Sequence, residues 1–325
     1  MSELRWHPLL GQWVITATHR QDRTFFPPKD YCPLCPTKPG SFPTEIPAPD
    51  YDVVVFENKF PSLQRNAPEP AVEGSELEPV RPAVGTCEVV CYTSDHESTL
   101  AQQPLERIAR LIDVWTDRTR ELGARGDVKY VYIFENKGRE IGVTLAHPHG
   151  QIYAYPYIPP ILETELAQCR KHHEATGRNL LLDIARNEIE DGRRIVIKTD
   201  SFAAYIPFFA RYPYEVHITA LRPGAVRLDT MTPAERADLA QMLKRLLSAY
   251  DHLFNMSLAY ILAMHQAPTD GEDYSGLTNF HIEFYPPNRT KDKLKYLAGS
   301  EAGAGAYIND TLAEEKAAEL RAKLG

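Results

Sequence analysis

In Gly142-Val143-Thr144-Leu145-Ala146-His147-Pro148-His149-Gly150-Gln151-Ile152-Tyr153-Ala154-Tyr155, two histidines flank one proline and an amide follows two residues later. The run reads as a nucleophile site for phosphoryl chemistry. Side chains alternate faces along an extended segment, so His147 and His149 are expected to project to one side, with Pro148 stiffening the backbone between them. Imidazole is uncharged and nucleophilic near neutral pH, and a histidine bonded to phosphorus is readily released again. Gln151, on the same face as His149, can donate its amide N–H to a phosphoryl oxygen as charge builds there.

Outward from this run, 325 residues allow a large core and suit two domains or one large one. Charged residues make up 25% and hydrophobic residues 43%, and no apolar run approaches the roughly 20 residues that cross a bilayer. Met1-Ser2-Glu3-Leu4-Arg5-Trp6 lacks the apolar stretch of a signal peptide, so a cytoplasmic protein is expected, without membrane contact. A formal net charge of -8 argues against a general nucleic-acid binder. Any phosphate binding must therefore be local. Five cysteines, Cys32, Cys35, Cys87, Cys91 and Cys169, are too few and too unevenly placed for a disulfide framework. Twenty-six prolines, many in connections, indicate long but stiff loops.

The order of elements is written twice. The first half reads as strands at 51–56 and 86–92, a helix around 104–122 on the spacing of Leu105, Ile108, Ile112 and Trp115, and a strand at 129–135 leading to the histidine run. The second half reads as strands at 202–206 and 214–218, a helix opened by Thr232-Pro233-Ala234-Glu235-Arg236, and strands at 257–262 and 280–285. His281-Ile282-Glu283 then lies where His147-Pro148-His149 lies in the first copy. This is a duplicated domain and not a solenoid of short repeats. Only the first copy pairs its histidines with Gly-Gln, so it is expected to hold the nucleophile while the second supplies binding surface or a metal site. Residues 162–194 read as a charged helical segment across the junction.

Cys32-Pro33-Leu34-Cys35 has a spacing that lets two thiolates grip one tetrahedral ion. A pair is half a site; His96 and His147 are the candidates to complete a Cys2His2 shell, the donor set that best suits zinc. Two buried cysteines without a metal, or a redox pair, are the competing readings, and no strand-to-helix start supports the redox one. If His147 is a ligand, the ion clamps the chain two residues before the nucleophile and its role is preorganisation. Glu165, His265, His281 and Glu283 form a possible second site for iron or zinc, weighed against ordinary strand histidines in a core.

With these residues quoted, the chain resembles the galactose-1-phosphate uridylyltransferase family, a branch of the histidine triad superfamily. The resemblance runs through His7-Pro8-Leu9, Gln12-Trp13-Val14-Ile15, Thr18-His19-Arg20-Gln21-Asp22-Arg23, the cysteine pair, Phe56-Glu57-Asn58-Lys59-Phe60-Pro61, Phe134-Glu135-Asn136-Lys137-Gly138, the histidine run, Met264-His265-Gln266-Ala267-Pro268 and Phe284-Tyr285-Pro286-Pro287. It implies an α+β fold, a duplicated histidine-triad-like domain with an antiparallel sheet and packed helices in each copy. Residues 1–160 would hold the zinc site and nucleophile, and 161–325 would be the degenerate copy. It implies a ping-pong transfer of the uridylyl group from UDP-glucose to galactose 1-phosphate, giving UDP-galactose and glucose 1-phosphate, in a homodimer.

By position, His149 resembles the nucleophile and Gln151 the stabiliser of phosphoryl oxygens, with Arg20 and Arg23 holding phosphate. Asn58 and Asn136 match uridine- and phosphate-binding positions, Thr144 offers a hydroxyl to a phosphate oxygen, and Lys295 and Glu301 would face the hexose. The sequence departs from the family in having His281-x-Glu283 where many members have His-x-His, and in its Gly- and Ala-rich segment at 299–308. An ADP-sugar or diadenosine polyphosphate phosphorylase of the same architecture is the nearest rival, disfavoured by Gly150. A non-catalytic nucleotide-binding module, with no covalent intermediate, is the alternative of another class.

Overall fold

The computed structural model describes residues 2–22 and 31–325. In chain order the strands and helices are β1 (Ser2–His7), β2 (Gln12–Ala17), β3 (Val54–Glu57), β4 (Val80–Pro82), β5 (Thr86–Cys91), α1 (Leu105–Gly123), β6 (Tyr130–Lys137), β7 (His149–Tyr155), α2 (Pro160–Thr176) and α3 (Leu180–Asp191). There follow β8 (Ile195–Lys198), β9 (Phe202–Tyr205), β10 (Val216–Ala220), α4 (Pro233–Leu253), β11 (Tyr260–His265), β12 (His281–Tyr285), β13 (Asn288–Thr290), β14 (Lys293–Leu294), α5 (Gly299–Ala304) and α6 (Ala313–Arg321).

Among the described residues, strands from both halves join in one nine-stranded sheet, ordered β3-β5-β7-β6-β11-β12-β10-β9-β8, every neighbouring pair antiparallel. The duplication is visible in that order: β5-β7-β6 runs toward the centre from one side and β10-β12-β11 from the other. They meet where β6 pairs with β11, Phe134 opposite Ala263. A single row crosses the sheet from Phe56 through Val89, Gln151, Phe134, Ala263, Glu283 and His217 to Tyr205. Residues directly opposite in a ladder share a face, so one surface of the sheet carries both the histidine run's Gln151 and the second cluster's Glu283.

The other face is covered by α1 and α4. Helix α1 forms because Ile108, Leu111, Ile112, Trp115 and Leu122 recur at helical spacing and all are buried. Pro104 stands at its N-cap rather than in the first turn, with the helix beginning at Leu105. Helix α4 starts in a capping box, in which Thr232 accepts from the Glu235 N–H, Glu235 accepts from the Thr232 N–H, and Pro233 occupies the first helical position. Trp115, Ile133 and Ile152 of the first half share one core with Leu243, Met264 and Phe284 of the second. At roughly 1.5–3 kcal/mol per buried side chain, this continuous core makes each half a large part of the other's stability.

On the site face, the first half is covered by a three-stranded sheet, β2-β1-β4, through Leu4, Leu63 and Tyr153. The second half is covered by α2 and α3, through Leu166 with Ala267 and Ala185 with Ala203 and Tyr205. The expected single segment at 162–194 is thus two helices, divided at Gly177, whose φ of 70° lies in the left-handed region that ends a helix. The strand expected at 51–56 is shifted to Val54–Glu57, freeing Tyr51 to leave the ladder. Strand β7 begins only at His149, so His147 lies before the strand and not within it.

Candidate active site

His149 opens β7 and is partly exposed, while His147, two residues earlier, is 1% exposed. Their rings part company. His147 is drawn into the cysteine cluster, and His149 lines a cleft of about 280 Å³ with Arg20, Phe56, Asn58 and Gln151. Nδ1 of His149 lies 2.7 Å from the carbonyl oxygen of His147, an acceptor that can only be met by an N–H. This assigns the proton to Nδ1 and the lone pair to Nε2.

The side chains beside it are held by the ladder. The carbonyl oxygen of Gln151 accepts from Asn58 Nδ2 at 3.4 Å and from the Tyr153 hydroxyl at 3.4 Å, which leaves its NH2 as the donating end. Asn58 is itself fixed by its backbone N–H to the Cys87 carbonyl and by accepting the Phe60 N–H. Arg20 donates to the Phe60 carbonyl at 3.3 Å and reaches the Tyr153 hydroxyl at 3.5 Å. Leu34, Phe56, Val89 and Leu145 supply the apolar side of the cleft. One wall therefore suits a flat base and the other an anion.

A second cleft of about 220 Å³ meets the first at His149, with Asn136, Thr144, Lys137 and Arg139 among its lining residues. Lys295 and Glu301 are not in either lining. They pair with each other at 3.1 Å, both buried, beside α5. Arg23 lies outside the described residues.

Cys32, Cys35, His96 and His147 offer ligand atoms that all lie within 4.8 Å of one another. Cys35 Sγ is 3.4 Å from His96 Nδ1 and 3.5 Å from His147 Nδ1. On its far side, His147 Nε2 is 2.8 Å from the Thr93 carbonyl and 2.6 Å from the Tyr51 hydroxyl, so Nε2 carries the proton and Nδ1 turns its lone pair to the cluster. Burial holds the His147 ring well below its usual range, at about 4, which keeps it a neutral ligand. Burial, and then the charge of Cys32, push the Cys35 thiol up to about 12, so this pair needs a cation beside it to ionise. Two thiols, two imidazoles and an outer carbonyl fit a tetrahedral divalent ion.

Glu165, His265, His281 and Glu283 also bring their ligand atoms within 4.8 Å. Glu165 is 3.0 Å from His265 Nδ1, and His281 Nε2 is 3.5 Å from Glu283. Sequence reasoning missed the rest of this group. His217 Nε2 lies 3.4 Å from Glu283 and 2.9 Å from Glu215, Arg211 donates to Glu283 at 3.0 Å, and the Tyr285 hydroxyl donates to the same carboxylate. Burial pushes the Glu283 carboxyl up, but His217, His265 and His281 outweigh it and hold it well below the usual carboxylate range. Alternation along the strands would have found His217, opposite Glu283 in the ladder, once the register was known.

A doubled sheet presenting a histidine with its proton fixed on one nitrogen, and an amide donor two residues on, defines a nucleotidyltransferase. Residues 1–159 match the description of the galactose-1-phosphate uridyl transferase N-terminal domain, and residues 165–324 match that of its C-terminal domain. The chain belongs to the galactose-1-phosphate uridylyltransferase family. It is 42% identical over 323 residues to galactose-1-phosphate uridylyltransferase of Thermotoga maritima, covering 99% of this chain and 98% of that one. It is 39% identical over 295 residues to that of Streptomyces lividans, covering 88% of this chain and 77% of the relative. A solved uridylyltransferase structure superimposes with a TM-score of 0.86 at 33% identity, covering 99% and 98% of the two chains. An ADP-glucose phosphorylase from Arabidopsis thaliana, 23% identical and with a TM-score of 0.75, shares the fold. No helix among the described residues is long and apolar enough to cross a membrane.

Proposed function

We propose that the protein transfers the uridylyl group of UDP-glucose to galactose 1-phosphate by two displacements at one phosphorus. Nε2 of His149 attacks the α-phosphorus, the bond from that phosphorus to the bridging oxygen breaks, and glucose 1-phosphate leaves with the electron pair. A phosphate oxygen of galactose 1-phosphate then attacks the same phosphorus, the N–P bond breaks, and UDP-galactose leaves with Nε2 again bearing its lone pair. The reading rests on one observation above all, the His147 carbonyl 2.7 Å from His149 Nδ1, which makes Nε2 the unprotonated nitrogen of a ring that lines the cleft.

Around that atom, the Gln151 NH2 would meet the phosphoryl oxygens as their charge grows, and Arg20, Arg23, Asn136 and Thr144 would hold phosphate. Asn58 and the apolar wall would take the uridine. Lys295 and Glu301 would reach hexose only as part of a larger assembly, since they lie outside both clefts, and a homodimer is the assembly we infer. Residues 1–160 would form the nucleophile-bearing domain and 161–325 the degenerate copy, in a cytoplasmic enzyme of galactose metabolism. Zinc suits Cys32, Cys35, His96 and His147, and would supply rigidity to the residues before the nucleophile. Iron or zinc suits Glu165, His265, His281 and Glu283.

Intact-mass analysis after mixing with UDP-glucose and no acceptor tests the reading. A UMP-sized adduct that galactose 1-phosphate removes is the expected result. An unlabelled, folded protein would overturn it, and labelling only by an adenine nucleotide donor would transfer the activity to the phosphorylase alternative.

A further inference from the structure

The strand that presents His149 is braced from its helix side by two buried polar side chains, Tyr92, which lines neither cleft, and Glu135, which borders only the second. Glu135, 4% exposed, shares a face of β6 with Val131 and Ile133 of the core. Its carboxyl accepts from the Tyr260 hydroxyl at 3.3 Å, and the Tyr92 hydroxyl lies beside it, close enough for each to shift the other's ionisation. Tyr92, 1% exposed and directly after β5, packs edge-on to Trp115 with ring centroids 6.1 Å apart.

Tyr92 holds both neighbours of the nucleophile. Its backbone N–H donates to the Pro148 carbonyl at 3.1 Å. Its hydroxyl occupies the space a side chain at position 150 would need: a Cβ built on Gly150 overlaps that oxygen and comes within 3.0 Å of the Phe134 carbonyl. Gly150 is not among the positive-φ glycines, so the position requires glycine for room and not for conformation. Packing alone does not explain the two polar groups, since a phenylalanine against Trp115 and an aliphatic residue at 135 would avoid the cost of burying a hydroxyl and a carboxyl.

We propose that Tyr92, held in place by Glu135, is a positioning residue for the nucleophile, fixing His149 between the Pro148 carbonyl and the Gly150 backbone. It touches no reacting atom and acts through His149. The inference rests on the uridylyl-transfer reading, and a displacement of the nucleophile by a fraction of an ångström is enough to slow attack strongly.

The test is the rate of covalent labelling by UDP-glucose, followed by rapid quenching and intact-mass analysis of the full chain. Tyr92→Phe is expected to label about tenfold more slowly at saturating UDP-glucose, with the half-saturating concentration within about twofold of the parent and thermal unfolding little changed. Glu135→Leu should slow labelling similarly and Glu135→Gln, which keeps an acceptor for the Tyr92 hydroxyl, should restore most of the rate. The double variant Tyr92→Phe/Glu135→Leu should be no slower than the worse single one, because both break one link.

A folded Tyr92→Phe that labels at the parent's rate, or one whose defect is confined to the half-saturating concentration, overturns the proposal. If Tyr92→Phe does not fold, Glu135→Leu against Glu135→Gln decides by the same criteria. A parent that does not label at all overturns the uridylyl-transfer reading itself, and this one with it.

Discussion

The backbone carbonyl of His147, whose ring closes the cysteine cluster, accepts the Nδ1 proton of His149 at 2.7 Å. The residue that would bind the metal therefore also sets the tautomer of His149, the proposed nucleophile. Its ring is anchored at Nε2 by the Thr93 carbonyl and at Nδ1 by the cluster, so the carbonyl that orients His149 belongs to a residue fixed at both ends of its side chain.

His149→Ala should abolish the uridylyl adduct and lower turnover by at least about three orders of magnitude, because in the proposed mechanism its Nε2 forms the covalent bond. Metal content and unfolding temperature should stay near those of the parent, since the ring faces the cleft and not the cluster. Turnover within about tenfold of the parent would remove His149 from the nucleophile's role.

Cys32→Ser, or prolonged chelation of the parent, should lower bound metal and thermal stability together, because an ion held only by the folded chain adds its binding free energy to folding. Acid acts in the same direction. The folded His147 ring protonates at about 4 and an unfolded histidine at about 6.5, so between those values the unfolded state binds the extra proton. Stability contributed by the neutral ring is thus present in full above about pH 6.5 and falls as the pH drops toward 4. Urea titrations across that window, with metal assayed at each pH, check both statements; a metal content indifferent to Cys32→Ser would exclude that residue from the shell.

Gln151→Glu keeps the shape of the side chain but exchanges the NH2, the proposed donor to phosphate, for an acceptor. Loss of one donor at a phosphoryl oxygen corresponds to about 100- to 1000-fold in turnover, and the added charge deepens it. The UDP-glucose concentration at half-saturation should move much less than the rate. Equal losses in both would make Gln151 a ground-state contact instead.

How much of this was legible in the sequence follows from the range of the forces involved. Helices α1 and α4 and the core strands were readable because their periodicity is local, and the Cys-x-x-Cys with His96 and His147 because ligand chemistry restricts which residues can meet. The three-stranded sheet was not, since Arg5 pairs with Val80 across a long connection that no local pattern encodes. Nor was the exit of His147 from the strand: Pro148 stiffens the chain as expected, but the ring is drawn away by Cys35 and Thr93, partners far off in sequence. No local pattern joins Glu135 to Tyr260, and only the pairing of β6 with β11 puts the two side by side.

The row that links Gln151 to Glu283 passes through Phe134 and Ala263, so Glu283 stands three strands, roughly 14 Å, from the amide proposed to meet phosphate. That is too far for the Glu283 carboxylate to touch the reacting phosphorus. Glu283→Ala should therefore lower the unfolding temperature by several degrees, because it leaves the buried His217 and His281, and the partly exposed Arg211, without their shared carboxylate. The single-turnover labelling rate of the folded variant should stay within about threefold of the parent. A rate loss of two orders of magnitude in a folded protein would place this cluster in the chemistry.

Glu135 predicts a pH dependence of opposite sign to that of His147. Burial pushes its carboxyl up to about 7, against the partial relief given by Lys137 and the hydroxyls of Tyr260 and Tyr92. An unfolded glutamate releases its proton near 4.3, so between about 4.3 and 7 the folded chain holds the proton that the unfolded chain has lost. This contribution favours folding in full below pH 4.3 and is lost as the pH rises through 7, where the buried group becomes an anion. Glu135→Gln removes the dependence while keeping an acceptor for Tyr92. Measured by urea unfolding, the stability of the variant relative to the parent should rise between pH 5 and pH 8, by about 1–3 kcal/mol. A difference that does not change with pH would mean that Glu135 ionises in the folded chain as it does in water, and that Tyr92 is braced by a permanently charged group.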